Sequence, residues 1–332
     1  MKYAYNLLTI LMLCSTGCHA QTPAKMKNET NPLLCDPQTG VCEVKTVSDT
    51  TKPVVEASKQ KPVKVIYFTD PICSSCWGIE PQLRKLKLEY GDAIEIEYRM
   101  GGLLPDWSYN SGGISKPSDV AHHWDEVSVY YDMPIDGNIW LEDPLPSSYP
   151  PSIAFKAAQL QDNDKAVLFL RELRELLFLS KKNITKWEYV EMAAIKAGLN
   201  VTQLKADYEG KAKQLFEEDL KLSRQMGVRG FPTLFFANNS GGHKVIYGSV
   251  PYMNFESAVV EMYPRAGKAA YNTTAQGLFA VYGSLTAKEY AVLSGLPRNQ
   301  CEAALDKLVS EGLLQKQTTK NGSIWRWVGG NK

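Results

Sequence analysis

At 332 residues the chain has room for two domains of ordinary size, and its 44% apolar and 22% charged residues are those of a folded, soluble protein. Its 37 basic and 36 acidic side chains nearly cancel, leaving a formal net charge of +1. That balance gives no electrostatic reason to expect nucleic acid or a membrane surface as a partner. Four histidines are too few to argue for a metal centre, and nothing in the sequence calls for a cofactor.

Residues 1–21 read as a targeting segment rather than part of the fold. Lys2 supplies a charged start, Leu7–Leu13 an apolar core, and Ser15-Thr16-Gly17-Cys18 a run of small residues before a cysteine. The apolar stretch is too short for a membrane helix. Cys18 is a candidate lipoprotein anchor, the only route to a membrane that the sequence offers, with cleavage after Ala20 as the alternative. Both predict export to the cell envelope. Initiation at Met26 would instead give a cytoplasmic protein.

Residues 22–62 are polar, rich in Lys, Thr, Ser, Pro and Asn, and without periodicity, the pattern of a flexible arm. Within it Cys35 and Cys42 flank the turn signals Asp36-Pro37 and Thr39-Gly40. Three readings stand side by side: a small disulfide-closed loop, an intramolecular substrate for the cysteine pair described next, and two unrelated cysteines.

Val63–Thr69 is a short apolar run rich in β-branched and aromatic residues, which predicts a buried strand. Asp70-Pro71 ends it. Cys73 and Cys76 follow, and Ile79, Leu83, Leu86 and Tyr90 then recur at helical spacing. Cys73 therefore falls where a helix begins and Cys76 about one turn inside it, on a shared face. Unpaired N–H groups and the positive end of the helix dipole favour a thiolate at Cys73. A strand feeding C-x-x-C at a helix start is the pattern of a dithiol/disulfide redox site. Half a zinc site and a chance buried pair are the competing readings, but no second C-x-x-C or H-x-x-x-H stands elsewhere to complete a tetrahedron.

Ala93–Arg99 alternates apolar and polar residues and predicts a second strand. The loop opened by Gly101-Gly102 brings Trp107 and Tyr109, which either line a substrate surface or pack. His122 and His123 lie on a predicted helix, where surface or capping roles compete with ligation. A proline-rich turn over Asp143–Pro151 offers Ser147, Ser148 and Tyr149 as weak candidates for substrate contact. Helices are predicted at Ser152–Gln161, Asp164–Leu179, Ile184–Ala197 and Val201–Met226, amphipathic segments whose Leu and Phe stripes are core. Strands at Thr233–Ala237 and His243–Gly248 and a helix at Asn254–Tyr263 follow.

The stretch Gly227–Phe236, GVRGFPTLFF, resembles the cis-proline loop of the thioredoxin superfamily, with Pro232 as the proline and Phe231 before it. In that superfamily the backbone of the residue before the proline is open to pair with a substrate strand. The long stretch between the C-x-x-C and this loop resembles the helical insertion of the DsbA family. The segment DPICSSCWGIEP is similar to the branch with FrnE-like oxidoreductases and the thioredoxin-fold adaptor that presents a redox regulator to the ClpXP protease. The match rests on Asp70, Pro71, Cys73, Cys76, Trp77 and Pro81.

The resemblance implies an α/β thioredoxin fold over 63–265 with a helical insertion over about 103–226. It implies a protein-disulfide oxidoreductase in which Cys73 attacks a protein disulfide and Cys76 resolves the mixed disulfide. Phe231, Pro232 and Trp77 are the candidate substrate-binding residues: Phe231 and Pro232 would hold the substrate backbone, while Trp77, with Tyr67, either covers the disulfide or packs. Partners would be protein thiols or disulfides and a redox partner. A non-catalytic adaptor presenting a client to a protease, and a redox-responsive regulator, are the alternatives.

Residues 275–330 form a separate segment. A helix, a second helix capped by Thr286, a third opened by Pro297, and two alternating strands joined through Asn321-Gly322 resemble a small α+β winged helix. Its recognition helix would be Arg298–Glu311, where Arg298 and Lys307 stand against Glu302, Asp306 and Glu311. That is a poor footprint for phosphates, so DNA is disfavoured and protein packing preferred. Cys301 reads as a small buried residue.

Overall fold

The computed structural model describes residues 61–108 and 116–329, together with the backbone of 35–36 and 41–43. The predicted signal segment and Tyr109 lie outside these residues. Two short strands, β1 (Cys35–Asp36) and β2 (Val41–Glu43), come first. The body begins with β3 (Val63–Thr69), α1 (Ser74–Gly78), α2 (Glu80–Tyr90) and β4 (Ile94–Met100). Seven helices follow: α3 (Pro117–Tyr131), α4 (Ile139–Glu142), α5 (Tyr149–Gln161), α6 (Asn163–Ser180), α7 (Trp187–Lys196), α8 (Val201–Glu209) and α9 (Lys211–Gln225). Then come β5 (Gly230–Phe231), β6 (Thr233–Asn238), β7 (His243–Tyr247) and α10 (Tyr252–Met262). The chain continues with α11 (Ala275–Tyr282), β8 (Ser284–Thr286), α12 (Ala287–Ser294), α13 (Arg298–Ser310), β9 (Leu314–Thr319) and β10 (Gly322–Trp327).

The main sheet has the order β4-β3-β6-β7, with β3 parallel to β4 and antiparallel to β6, and β6 antiparallel to β7. Strand β3 is central and almost wholly buried, which is why its sequence is a continuous apolar run rather than an alternation. The edge strand β4 keeps the alternation and exposes Glu95. Helices α3–α9 form the expected insertion, entered after β4 and left at β5, and their apolar faces share one core with the sheet.

Three local features depart from the sequence reading. The helix expected after Cys73 is two helices: Pro81 has no N–H to bond the Trp77 carbonyl, and the chain restarts from Ile79 with the proline in the first turn of α2. The single helix expected over Val201–Met226 is broken at Gly210, whose φ of −108° and ψ of −112° are far from helical. The C-terminal segment has a third strand, β8, in a sheet ordered β8-β10-β9.

The C-terminal unit has its own core of Leu278, Phe279, Leu285, Leu293, Cys301, Leu305, Leu314 and Trp325, while Ile324 reaches into the main core. Thr286 caps α12 by accepting from the Glu289 N–H at 3.2 Å, and the Glu289 carboxylate accepts from the Thr286 N–H at 2.8 Å. The hairpin tip docks on the insertion: the Asn321 amide donates to Asp125 at 2.7 Å and to the Ile135 carbonyl at 2.8 Å.

Candidate functional site: a buried dithiol at a helix start

Cys73 is the N-cap of α1. Its φ of −75° and ψ of 110° are extended, and its sulfur accepts from the Cys76 N–H at 3.1 Å. A sulfur in that position answers one of the N–H groups that a helix start leaves without an internal partner. Both cysteines are thiols and both are fully buried.

Asp70 braces the turn that leads into them. One carboxylate oxygen accepts from the Ile72 N–H at 3.0 Å, the other from the Leu103 N–H and the Ser148 hydroxyl, each at 2.8 Å. Burial raises the Asp70 carboxyl to about 6 against the pull of these bonds. Ser148 thus belongs to the scaffold: it is fully buried, and its hydroxyl also accepts from the Leu104 N–H at 3.0 Å. Ser147 donates to the Leu104 carbonyl at 3.0 Å, and Tyr149 packs edge-on against Phe216. The Ser147 and Ser148 hydroxyls are therefore spent on the loop beside the site, and the Tyr149 ring packs under it.

The electrostatics differ from the expectation that the helix start lowers Cys73. Burial raises the Cys73 thiol, and so does its donation of a hydrogen bond to Cys76. Burial also works to raise Cys76, but the Cys73 thiol, the Arg174 guanidinium and the Thr69 and Tyr67 hydroxyls overcome it, and the net shift is downward. The pair shares a proton with the negative charge favoured on Cys76. The lowered thiol is thus Cys76 and not the expected Cys73: burial and the hydrogen bond it donates raise Cys73, while that same bond and the Arg174 guanidinium favour the charge on Cys76.

Sequence reasoning missed Arg174, which is fully buried in α6. It donates to Glu80 at 2.5 Å, to the Thr69 hydroxyl at 2.7 Å and to the Asp70 carbonyl at 3.2 Å. An arginine between Leu173 and Glu175 in a helical pattern looks like a solvated face. The only sequence signal was that Arg171 and Arg174, three apart, must share a side of the helix with buried Leu residues.

From Arg174 a seam of buried charge runs to the C-terminal unit. Arg84 lies 3.9 Å from Glu80 and 3.2 Å from Glu289, and it donates to the Ser284 carbonyl at 2.8 Å. Arg171 holds the Glu289 carboxylate with two hydrogen bonds of 2.8 and 3.0 Å and bonds Glu175 at 2.7 Å. Arg326 of β10 reaches the other Glu175 oxygen at 2.6 Å. The two arginines hold the Glu175 carboxyl down at about 2 although burial opposes them.

Trp77 does not face a substrate. It is fully buried, donates its indole N–H to the Pro134 carbonyl at 3.1 Å, stacks on Phe178 and carries the Arg171 guanidinium 4.3 Å from its ring centre. Tyr67 is likewise buried, bonded to Thr69 at 3.1 Å. Trp107 donates to the Leu145 carbonyl at 2.9 Å and packs against Trp140. Among the described residues no group of His, Cys, Asp and Glu is arranged to hold a metal ion; His122 is exposed beside Glu126 and His123 is buried. Arg298, the leading basic residue of the predicted recognition helix, is held by Asp132 at 2.6 and 2.8 Å, so that end of α13 faces the helical insertion at the end of α3.

The Phe231–Pro232 peptide is cis. The Phe231 ring is buried against Gly101, where a Cβ would lie 1.8 Å from its tip, so its side chain is core and only its backbone is offered at the edge. That edge is occupied. Strand β2 pairs with β5 antiparallel, with Cys42 opposite Phe231 and Glu43 opposite Gly230, and β1 pairs with β2 with Cys35 opposite Cys42.

Comparison with known proteins agrees with this geometry. Residues 67–257 match a protein-family model described as thioredoxin. The ClpXP adapter protein SpxH of Halalkalibacterium halodurans is 35% identical over 312 residues, covering 92% of this chain and 99% of that protein. The ClpXP adapter protein SpxH of Bacillus subtilis is 30% identical over 273 residues, covering 80% and 90%. Among solved structures, a candidate protein disulfide isomerase from Nitrosomonas europaea superposes with a TM-score of 0.52 at 19% identity, over 61% of this chain and 97% of that one. This last likeness is one of fold.

Proposed function

The chain belongs to the thioredoxin family and groups with the SpxH proteins, and from that premise we propose that it is an adaptor presenting a client protein to a ClpXP-type protease. The observation that carries this reading beyond the relatives' name is the state of the dithiol. Both sulfurs are fully buried, and the one placed at the helix start, which would have to attack a client, is the one whose thiol is raised. A raised, buried thiol is a poor nucleophile at neutral pH. The docked C-terminal unit supports the same reading: Arg298 and the hairpin tip are engaged by the insertion, as expected of a protein-packing module with a winged-helix pattern.

The test is a degradation assay with purified ClpXP and a soluble extract of the source organism lacking this protein, read by quantitative mass spectrometry. An adaptor accelerates loss of one or a few proteins by about fivefold or more, and a Cys73→Ser/Cys76→Ser variant retains most of that effect. If no protein is lost faster and the chain instead oxidises, reduces or isomerises a disulfide protein, the oxidoreductase reading replaces this one. That second reading is favoured by the lowered thiol at Cys76.

A further inference from the structure

The sequence leaves three readings of Cys35 and Cys42 open, and the adaptor reading uses neither residue. Cys42 is opposite Phe231 in an antiparallel pair, on the backbone next to Pro232 that a client strand would use, and β2 also runs against α1, the helix that Cys73 caps. Cys35 is directly opposite Cys42 in the β1–β2 hairpin. Partners facing each other across an antiparallel pair have Cα atoms about 4.5–5.5 Å apart, within the separation a disulfide spans. A strand laid on this edge is the way a peptide is added to a sheet, with backbone hydrogen bonds supplying the affinity. Here the added strand is the chain's own arm.

We infer that Cys35 and Cys42 form a second redox pair, held as an intramolecular substrate on the client edge and exchanging its disulfide with Cys73 and Cys76. In the first step Cys73 passes its proton to the Cys76 thiolate and attacks the Cys42 sulfur of a Cys35–Cys42 disulfide held beside it on the arm, an attack that no outside client has to reach. The Cys42–Cys73 bond forms, the Cys35–Cys42 bond breaks, and Cys35 leaves as a thiolate. In the second step Cys76 gives that proton up to Cys35 and attacks the Cys73 sulfur, the Cys73–Cys76 bond forms, and Cys42 leaves as a thiolate. Two electrons pass from the Cys73/Cys76 pair to the Cys35/Cys42 pair, together with the one proton that Cys73 and Cys76 shared, and no outside reactant is needed. The reverse sequence carries the electrons back. Full burial of Cys73 accords with an edge already covered. The inference goes beyond the adaptor reading and does not depend on it.

The experiment uses the full chain with Cys76→Ser, which stops the exchange after its first step. The protein is oxidised with oxidised glutathione, quenched with acid and N-ethylmaleimide, and its disulfides are mapped by mass spectrometry. A Cys42–Cys73 cross-link is expected, in monomeric protein, with a yield unchanged over a hundredfold range of protein concentration. In a second variant, Val41→Pro/Glu43→Pro, the arm loses its ladder hydrogen bonds. Alkylation of Cys73 there is expected to accelerate about tenfold or more while the thermal midpoint stays that of the parent. A chain in which Cys42 is found only with Cys35, and in which the prolines leave Cys73 alkylation unchanged, overturns the inference. No protease enters either readout, so that failure would leave the adaptor reading as it stands.

Discussion

Replacing Glu289 with alanine should destabilise the chain more than any surface charge substitution, and the seam gives the magnitude. Glu289 is fully buried and accepts two hydrogen bonds from Arg171 while lying 3.2 Å from Arg84. Removing one partner of a buried ion pair costs about 3–5 kcal/mol, because the charge left behind has lost its solvation and gained nothing. The lost capping bond to Thr286 adds about 1 kcal/mol. The depression of neighbouring Glu175 from 4.5 to about 2 gives a comparable scale: at about 1.36 kcal/mol per pH unit it corresponds to roughly 3 kcal/mol of stabilisation by Arg171, which also holds Glu289, and Arg326. Glu289→Ala is therefore expected to lower unfolding stability by about 4–6 kcal/mol in urea titration. The double variant Arg171→Met/Glu289→Leu removes both charges of this pair but leaves Glu175 with Arg326 alone and Arg84 without Glu289, so it should be less unstable than the sum of the singles without returning to the parent. A Glu289→Ala cost below about 1 kcal/mol, or a double variant as unstable as the sum of the singles, would refute the claim that this seam holds the C-terminal unit in place.

Four further outcomes are expected. The depressed Glu175 contributes stability that is present above pH 4.5 and lost as pH falls toward 2, so acid unfolding in that window should be shallower in Glu175→Gln. Asp70 acts with the opposite sign: raised from 3.8 to about 6, its contribution is complete below pH 3.8 and is lost as pH rises through 6, a change of about 3 kcal/mol that Asp70→Asn should abolish in denaturant titrations from pH 4 to 7. Trp77→Ala removes a fully buried indole with its bond to Pro134 and its stack on Phe178, and calorimetry should register a loss of about 3–5 kcal/mol. Gly101→Ala puts a methyl 1.8 Å from the Phe231 ring, so that β5 must shift; about 1–3 kcal/mol of lost stability is expected, and a thermal midpoint equal to the parent's would show that the ring simply moves aside.

Sequence patterns with a single physical cause were legible in this chain. A continuous apolar run became the central strand β3, alternation became the edge strand β4, and helical spacing of Leu and Phe became the insertion. C-x-x-C after Asp70-Pro71 located the helix start, and GFP located the edge beside it. These follow from local periodicity and from residues whose backbone chemistry admits few conformations. What the residues of the site do was not legible, because each role depends on a neighbour remote in sequence. For Trp77 the sequence left covering the disulfide and packing open, and it is a pillar under Arg171; Ser148 was a weak candidate for substrate contact and is a brace for Asp70. Arg174 looked like a solvated charge, yet it is buried against Thr69 and biases the thiolate toward Cys76. The order of the elements and the place of the dithiol were written in the sequence by itself, through hydrophobic period and turn chemistry. Which thiol is raised and which lowered, and which strand lies on the edge beside Pro232, only the tertiary structure decided, because burial and Coulomb interactions depend on distances that no spacing along the chain records.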